Sequence, residues 1–95
     1  MNNMVIDSAG NTGWYGADGF LHRLDGPAYV TEAGSWWFIN GNRHRLDGPA
    51  IEWADGDKWW FINDVRYVTF NDFQAASGLS DMDIMILRLK YGSEL

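Results

Sequence analysis

The strongest constraint on this chain is a heptapeptide written twice, His22-Arg23-Leu24-Asp25-Gly26-Pro27-Ala28 and His44-Arg45-Leu46-Asp47-Gly48-Pro49-Ala50. Each copy leads into a run ending in Trp-Trp-Phe-Ile-Asn, at positions 36–40 and 59–63. His22 aligns with His44 and Gly34 with Gly56 at an offset of 22; the second copy then gains one residue and the offset becomes 23. A unit this short cannot bury its own apolar face, so like units must stand side by side, with altered copies closing the ends. Trp14, Gly19 and His22 lie 22 residues before Trp36, Gly41 and His44, which marks a worn first copy. Asn63-Asp64-Val65-Arg66-Tyr67 begins a third that is never finished.

Within a copy, Ala50-Ile51-Glu52-Trp53-Ala54 and Lys58-Trp59-Trp60-Phe61-Ile62-Asn63 carry β-branched and aromatic residues between turn signals, a strand pattern. Asp55-Gly56-Asp57 reads as a hairpin turn and Asn40-Gly41 as a type I′ turn, with Asp18-Gly19 repeating that chemistry one period earlier. Two turns per period predict an up-and-down antiparallel meander over residues 1–68. Alternation turns adjacent tryptophans to opposite faces, so both faces of the sheet carry large apolar groups and a second layer is required.

Residues 69–95 supply that layer, and the whole chain reads as a single α+β domain. Thr69 and Asp72 resemble a capping box with Gly78 as the stop of a short helix. A second helix is predicted from about Asp81 to Tyr91, with Ser80 as N-cap, Asp81 and Asp83 in the first turn, Arg88 and Lys90 in the last, and Gly92 as its stop. Met82, Met85, Ile86 and Leu89 form one apolar stripe on it; Ile84, Leu87 and Tyr91 form another on the opposite side. One stripe should meet the sheet, the other the first helix or another subunit. A two-fold homodimer through Leu87, Tyr91 and one row of tryptophans is the simplest way to cover what a chain of 95 residues cannot.

The segment Trp37-Phe38-Ile39-Asn40-Gly41-Asn42-Arg43-His44 resembles the Trp, turn-Gly and His core of MORN-type repeats, β-hairpin units of about this period. Trp60-Phe61-Ile62-Asn63-Asp64-Val65-Arg66-Tyr67 is similar to a decayed copy, and the resemblance covers roughly residues 14 to 67. The His-Arg-x-Asp-Gly-Pro-Ala signature resembles a divergent group of such repeats in bacteriophage and large-virus proteins. That resemblance implies an antiparallel hairpin array and a virus-encoded accessory role. Arg23 and Arg45 stand where the better-known pattern has Gly after the His.

Composition narrows function further. Thirteen acidic against seven basic residues give a net charge of −6, which repels nucleic-acid phosphates and anionic membranes and suits a basic protein partner. With no cysteine, no signal-peptide pattern and no long apolar run, a cytoplasmic protein is expected, in the host cytoplasm if viral. His22 and His44, with Asp25 and Asp47, suggest acid/base or metal chemistry, but equivalent residues one unit apart stand about 10 Å from each other, too far to share a metal. Their expected role is to knit turns, with Arg23 and Arg45 pairing to a carboxylate or carbonyl of the next copy; no metal, cofactor or catalytic residue is expected. Contact residues are sought among Trp36, Trp37, Trp59, Trp60, Arg43 and Arg45. The leading expectation is a non-enzymatic protein-binding module. Its rival is a binder of an anionic, nucleotide-like ligand held by the aromatics with Arg23, Arg43 and Arg45.

Overall fold

The computed structural model describes residues 3–92. The chain is α+β, an antiparallel meander-like array of nine strands followed by two helices. The strands are β1 (Asn3–Ile6), β2 (Thr12–Tyr15), β3 (Tyr29–Thr31), β4 (Gly34–Trp36), β5 (Phe38–Ile39), β6 (Asn42–Arg43), β7 (Ile51–Trp53), β8 (Lys58–Ile62) and β9 (Val65–Tyr67); the helices are α1 (Phe70–Ser77) and α2 (Asp81–Tyr91). Seven strands form one sheet in the order β1-β2-β3-β4-β7-β8-β9, while β5 and β6 pair only with each other. The simple meander is therefore interrupted at Trp37. There the strand that runs unbroken as β8 in the last unit splits into β4, paired with β7, and β5, paired with β6.

Loop length explains where the repeat drifts. Residues Thr31 and Gly34 are joined across two residues, whereas Trp53 donates to the Asp57 carbonyl (2.9 Å) across three, with Gly56 left-handed at φ 95°. The residue gained by the second copy sits in that loop. Asn40-Gly41 has both φ values positive (50° and 83°), and so has Asn63-Asp64 (48° and 70°), the type I′ requirement. Asp18-Gly19 differs from expectation. Only Gly19 is left-handed, and Gly16 donates to the Phe20 carbonyl while Gly19 donates back to Gly16, a three-residue loop with a glycine bulge. Its extra residue moves the alignment of the first copy, so that Trp14 is the counterpart of Trp37 rather than of Trp36. Both donate to the carbonyl of the heptapeptide alanine, Ala28 or Ala50, and both accept from the heptapeptide histidine N–H.

Both helices start as their sequences predict, with Thr69 Oγ1 accepting from Asp72 N–H (3.1 Å) and Ser80 Oγ from Asp83 N–H (3.2 Å). Gly78 closes α1 at φ 69°; Gly92 keeps a right-handed φ of −56° and does not stop α2 by a left-handed turn. The helices cover one face of β8, where Trp60 packs with Phe70, Phe73, Ile84 and Leu87. Leu87 is only 3% exposed and Tyr91 lies edge-on to Trp60 at 5.6 Å, so the stripe expected at a dimer interface is the one buried inside the chain. The other stripe, Met82, Met85, Ile86 and Leu89, is left 42–80% exposed. Three aromatic rings already surround Trp60, so only one helical face was needed.

Gly34 is a close-approach position, since it pairs with Trp53 and a Cβ there would collide with the Glu52 carbonyl oxygen. At Gly56 a Cβ would meet open space. We expect Gly34→Ala to cost about 2–3 kcal/mol in chemical denaturation against about 1 kcal/mol for Gly56→Ala, which is strained only by its φ. Equal losses would show that the approach of β4 to β7 tolerates a methyl group.

Candidate functional site

Six of the seven heptapeptide positions have a physical task within their own unit; at the third, Leu24 projects outward while Leu46 is half-buried. Arg45 folds back over its own turn, with Nε donating to Asp47 Oδ1 (2.9 Å) and Nη1 to the Pro49 carbonyl (3.2 Å) and to Glu52 Oε1 (3.0 Å). Its guanidinium lies 3.9 Å from the centre of the Trp37 ring, and the side chain is 12% exposed. Arg23 does the same with Asp25 (3.0 Å), the Pro27 carbonyl (3.3 Å) and the Trp14 ring (4.1 Å). Glycine between Asp and Pro lets the guanidinium fold over the turn: a Cβ at Gly48 would sit 2.6 Å from Arg45 Cζ and 2.7 Å from the Tyr91 hydroxyl and would displace those side-chain ends. The alanines are fully buried. The expected pairing of arginine with the next copy is replaced by pairing within its own turn, because Asp two residues on lies nearer the guanidinium than any carboxylate of the neighbouring unit. Glu52 adds the longer contact in the second copy alone.

The histidines link consecutive units. Asn40 N–H donates to His22 Nδ1 and Asn63 N–H to His44 Nδ1, both at 3.0 Å. Around each lie two equivalent backbone bonds: Arg23 N–H to Phe38 O with Gly41 N–H to Leu21 O, and Arg45 N–H to Phe61 O with Asp64 N–H to Arg43 O. An Nδ1 occupied as an acceptor of a backbone N–H is not poised as a catalytic base. Among the described residues no group of three His, Asp or Glu side chains could hold a metal ion.

Arg43 is tied as well. Its Nε donates to Asp64 Oδ1 at 2.6 Å, its backbone N–H donates to the same oxygen at 3.3 Å, and its guanidinium lies 4.4 Å from the Phe61 ring centre. The Arg43 side chain, then its backbone N–H, holds the Asp64 carboxyl below the ordinary aspartate value of 3.8. These bonds also account for a non-glycine residue at positive φ in the third turn.

On the sheet face opposite the helices, Tyr29, Trp36, Trp53 and Trp59 make a continuous row with ring centres 5.9, 5.3 and 5.2 Å apart, and Arg66 lies 3.8 Å over Trp59 at its end. All four rings are half-buried, and the three tryptophans pack against the cluster of Ala50, Ile51 and Phe61. The Trp53 indole N–H is buried without a hydrogen-bond partner. Of the sequence candidates, Trp36 and Trp59 belong to this row. Trp37 lies under Arg45, and Trp60 is a core residue at 5% exposure, withdrawn from contact because the helices need its ring. Tyr29, Trp53 and Arg66 were not singled out from sequence. Strand alternation placing Trp53 on the same face as Ile51 was the available signal.

No protein-family model, no curated protein and no solved structure matches the chain.

His44→Ala should cost about 1–3 kcal/mol of stability by orphaning the Asn63 N–H, and His22→Ala a similar amount through Asn40. A well-folded His44→Ala that loses a defined turnover would overturn the structural role. For Asp64, a folded-state value lowered below 3.8 means that its contribution is complete above that pH and is lost as pH falls through the lowered value. We therefore expect Asp64→Asn to be less stable than the parent by up to about 0.5 kcal/mol near neutral pH, a size set by solvent screening, and the gap to close in acid. A gap that persists unchanged in acid denaturation series would contradict the ion pair as its source.

Proposed function

We propose that this chain is a non-enzymatic protein-binding module that presents the row Tyr29–Trp36–Trp53–Trp59 to a protein partner. The carrying observation is that row itself: four aromatic rings in unbroken contact on the face that neither helix covers. Large rigid rings offer contact area at little entropic cost, and aromatic residues with arginine are enriched at the energetic centres of interfaces. The net charge of −6 favours a basic partner. A virus-encoded accessory protein acting in the cytoplasm on a host protein agrees with the MORN-like resemblance of residues 14 to 67.

The rival reading, an anionic small molecule, loses its three cations: Arg23, Arg43 and Arg45 are each committed to a carboxylate. It would now rest on Arg66, which stacks on Trp59 and forms no ion pair among the described residues. Among these residues no helix is long and apolar enough to cross a membrane.

The test is affinity capture from the native host's lysate with the parent chain, Tyr29→Glu and Arg66→Glu. Both substitutions lie at the ends of the row and spare its centre, so melting temperature should change little. One protein retained by the parent and lost from both variants is expected, with binding weakened about tenfold or more. Equal retention by both folded variants would remove the row from the interface.

A further inference from the structure

The last unit shows what the wall of a repeat is built to receive. Trp60, Ile62 and Tyr67 line the site into which α1 and α2 insert Phe73, Ile84 and Leu87. One unit earlier, Trp37, Ile39 and His44 occupy the same three places, 23 residues before; there Arg45 stacks on the Trp37 ring, and beside it the wall borders an open groove of about 350 Å³ rimmed by Leu24 and Leu46. Leu24 is 73% exposed. Beside the groove, sharing Leu46 and Asp47 with it, a smaller cleft of about 210 Å³ is bounded by Ile86, Leu87 and Lys90 of α2. Through Ile86 the exposed stripe of α2 therefore adjoins a groove whose counterpart is filled by helices of this same chain.

We infer that the groove over Trp37 is an interface for a second copy of this chain, which lays the exposed stripe of its α2 into it under two-fold symmetry. Groove and stripe are neighbours on one surface, so a single two-fold axis near Leu46 and Ile86 seats each stripe in the other copy's groove and closes both contacts. The chemistry of the occupant is the one already accepted at Trp60, aliphatic side chains from one helical face. Charge fits as well. The groove is flanked by Asp25 and Asp47, whose side chains are 86% and 74% exposed, and the stripe ends beside Lys90 in the last turn of α2. Each aspartate also pairs with the arginine of its own turn, and Asp83 lines the cleft beside Lys90, so the attraction between the two rims is modest against the repulsion of two acidic chains. The interface lies away from the aromatic row, so the dimer stands or falls independently of the protein-binding reading and would present that row twice.

Sedimentation velocity of the full chain at micromolar concentration reads this directly, with Leu24→Glu blocking the groove and Met85→Glu blocking the stripe; both residues are exposed and should leave the fold intact, as far-UV circular dichroism and melting will report. The expected mass of the parent is twice 10.8 kDa, and that of each variant alone is a single chain. An equimolar mixture of the two variants should recover part of the dimer, since one groove and one stripe of complementary copies remain unblocked. Lys90→Glu should weaken association about tenfold, with the remaining affinity rising with salt. A single-chain mass for the parent, a dimer that survives both Leu24→Glu and Met85→Glu, or an open series of larger species would each overturn the inference.

Discussion

The structure depends on an arginine laid flat on a tryptophan. In each heptapeptide the guanidinium covers the ring of the unit's own strand, reaches the aspartate two residues on and the proline carbonyl four residues on, and takes the space that a side chain at the intervening glycine would fill. Lysine could not replace it, because a point-like ammonium lacks the planar fork that stacks and donates in two directions at once. The aspartates are largely solvent-exposed, so the ion pair alone contributes little. Stacking on a half-buried ring, at about 1–2 kcal/mol, and the bond to the proline carbonyl carry more.

Such a knot suits a chain with little interior. Apart from Ala28, the buried apolar residues fall into two small clusters, one under the helices and one around Ile51 and Phe61. Between them the units are held by polar seams, each made of one histidine and two backbone bonds of the same form. The seam tolerates the inserted residue near Gly56 because its partners lie on the opposite side of the strand pair from that loop. Where the third unit would need another arginine, the chain turns into α1 instead, and Phe70, Phe73 and Tyr91 take over the Trp60 ring. This is the end-capping that a repeat array requires, achieved by exchanging a cation for a helical layer.

Two surfaces follow from this economy. The helices protect one side of β8 only, so the other side of the sheet is shielded by its own tryptophans lying over Ile51 and Phe61, with Arg66 on the outermost ring. The heptapeptide side keeps an open wall at Trp37 beside an uncovered helical stripe. Both surfaces owe their exposure to the same fact: one helical layer is shared by more than two repeat units.

The sequence by itself determined the α+β division near residue 68, the strands within 50–54 and 58–63, both helix positions, the caps at Thr69 and Ser80, and the type I′ turn at Asn40-Gly41, because these follow from local geometry: period, turn chemistry and capping act within a few residues. It also pointed to structural work for His22 and His44, since a residue repeated in a turn motif has a repeated neighbour. Only the tertiary structure decided which tryptophan of each adjacent pair is spent on the core, which stripe of α2 is buried, and that Arg43 and Arg45 are occupied within the chain. Alternation says that Trp59 and Trp60 point apart without saying which side the helices choose. That choice rests on the fit of Phe70, Phe73 and Tyr91 around one ring, a relation among residues up to 31 apart that no spacing rule contains.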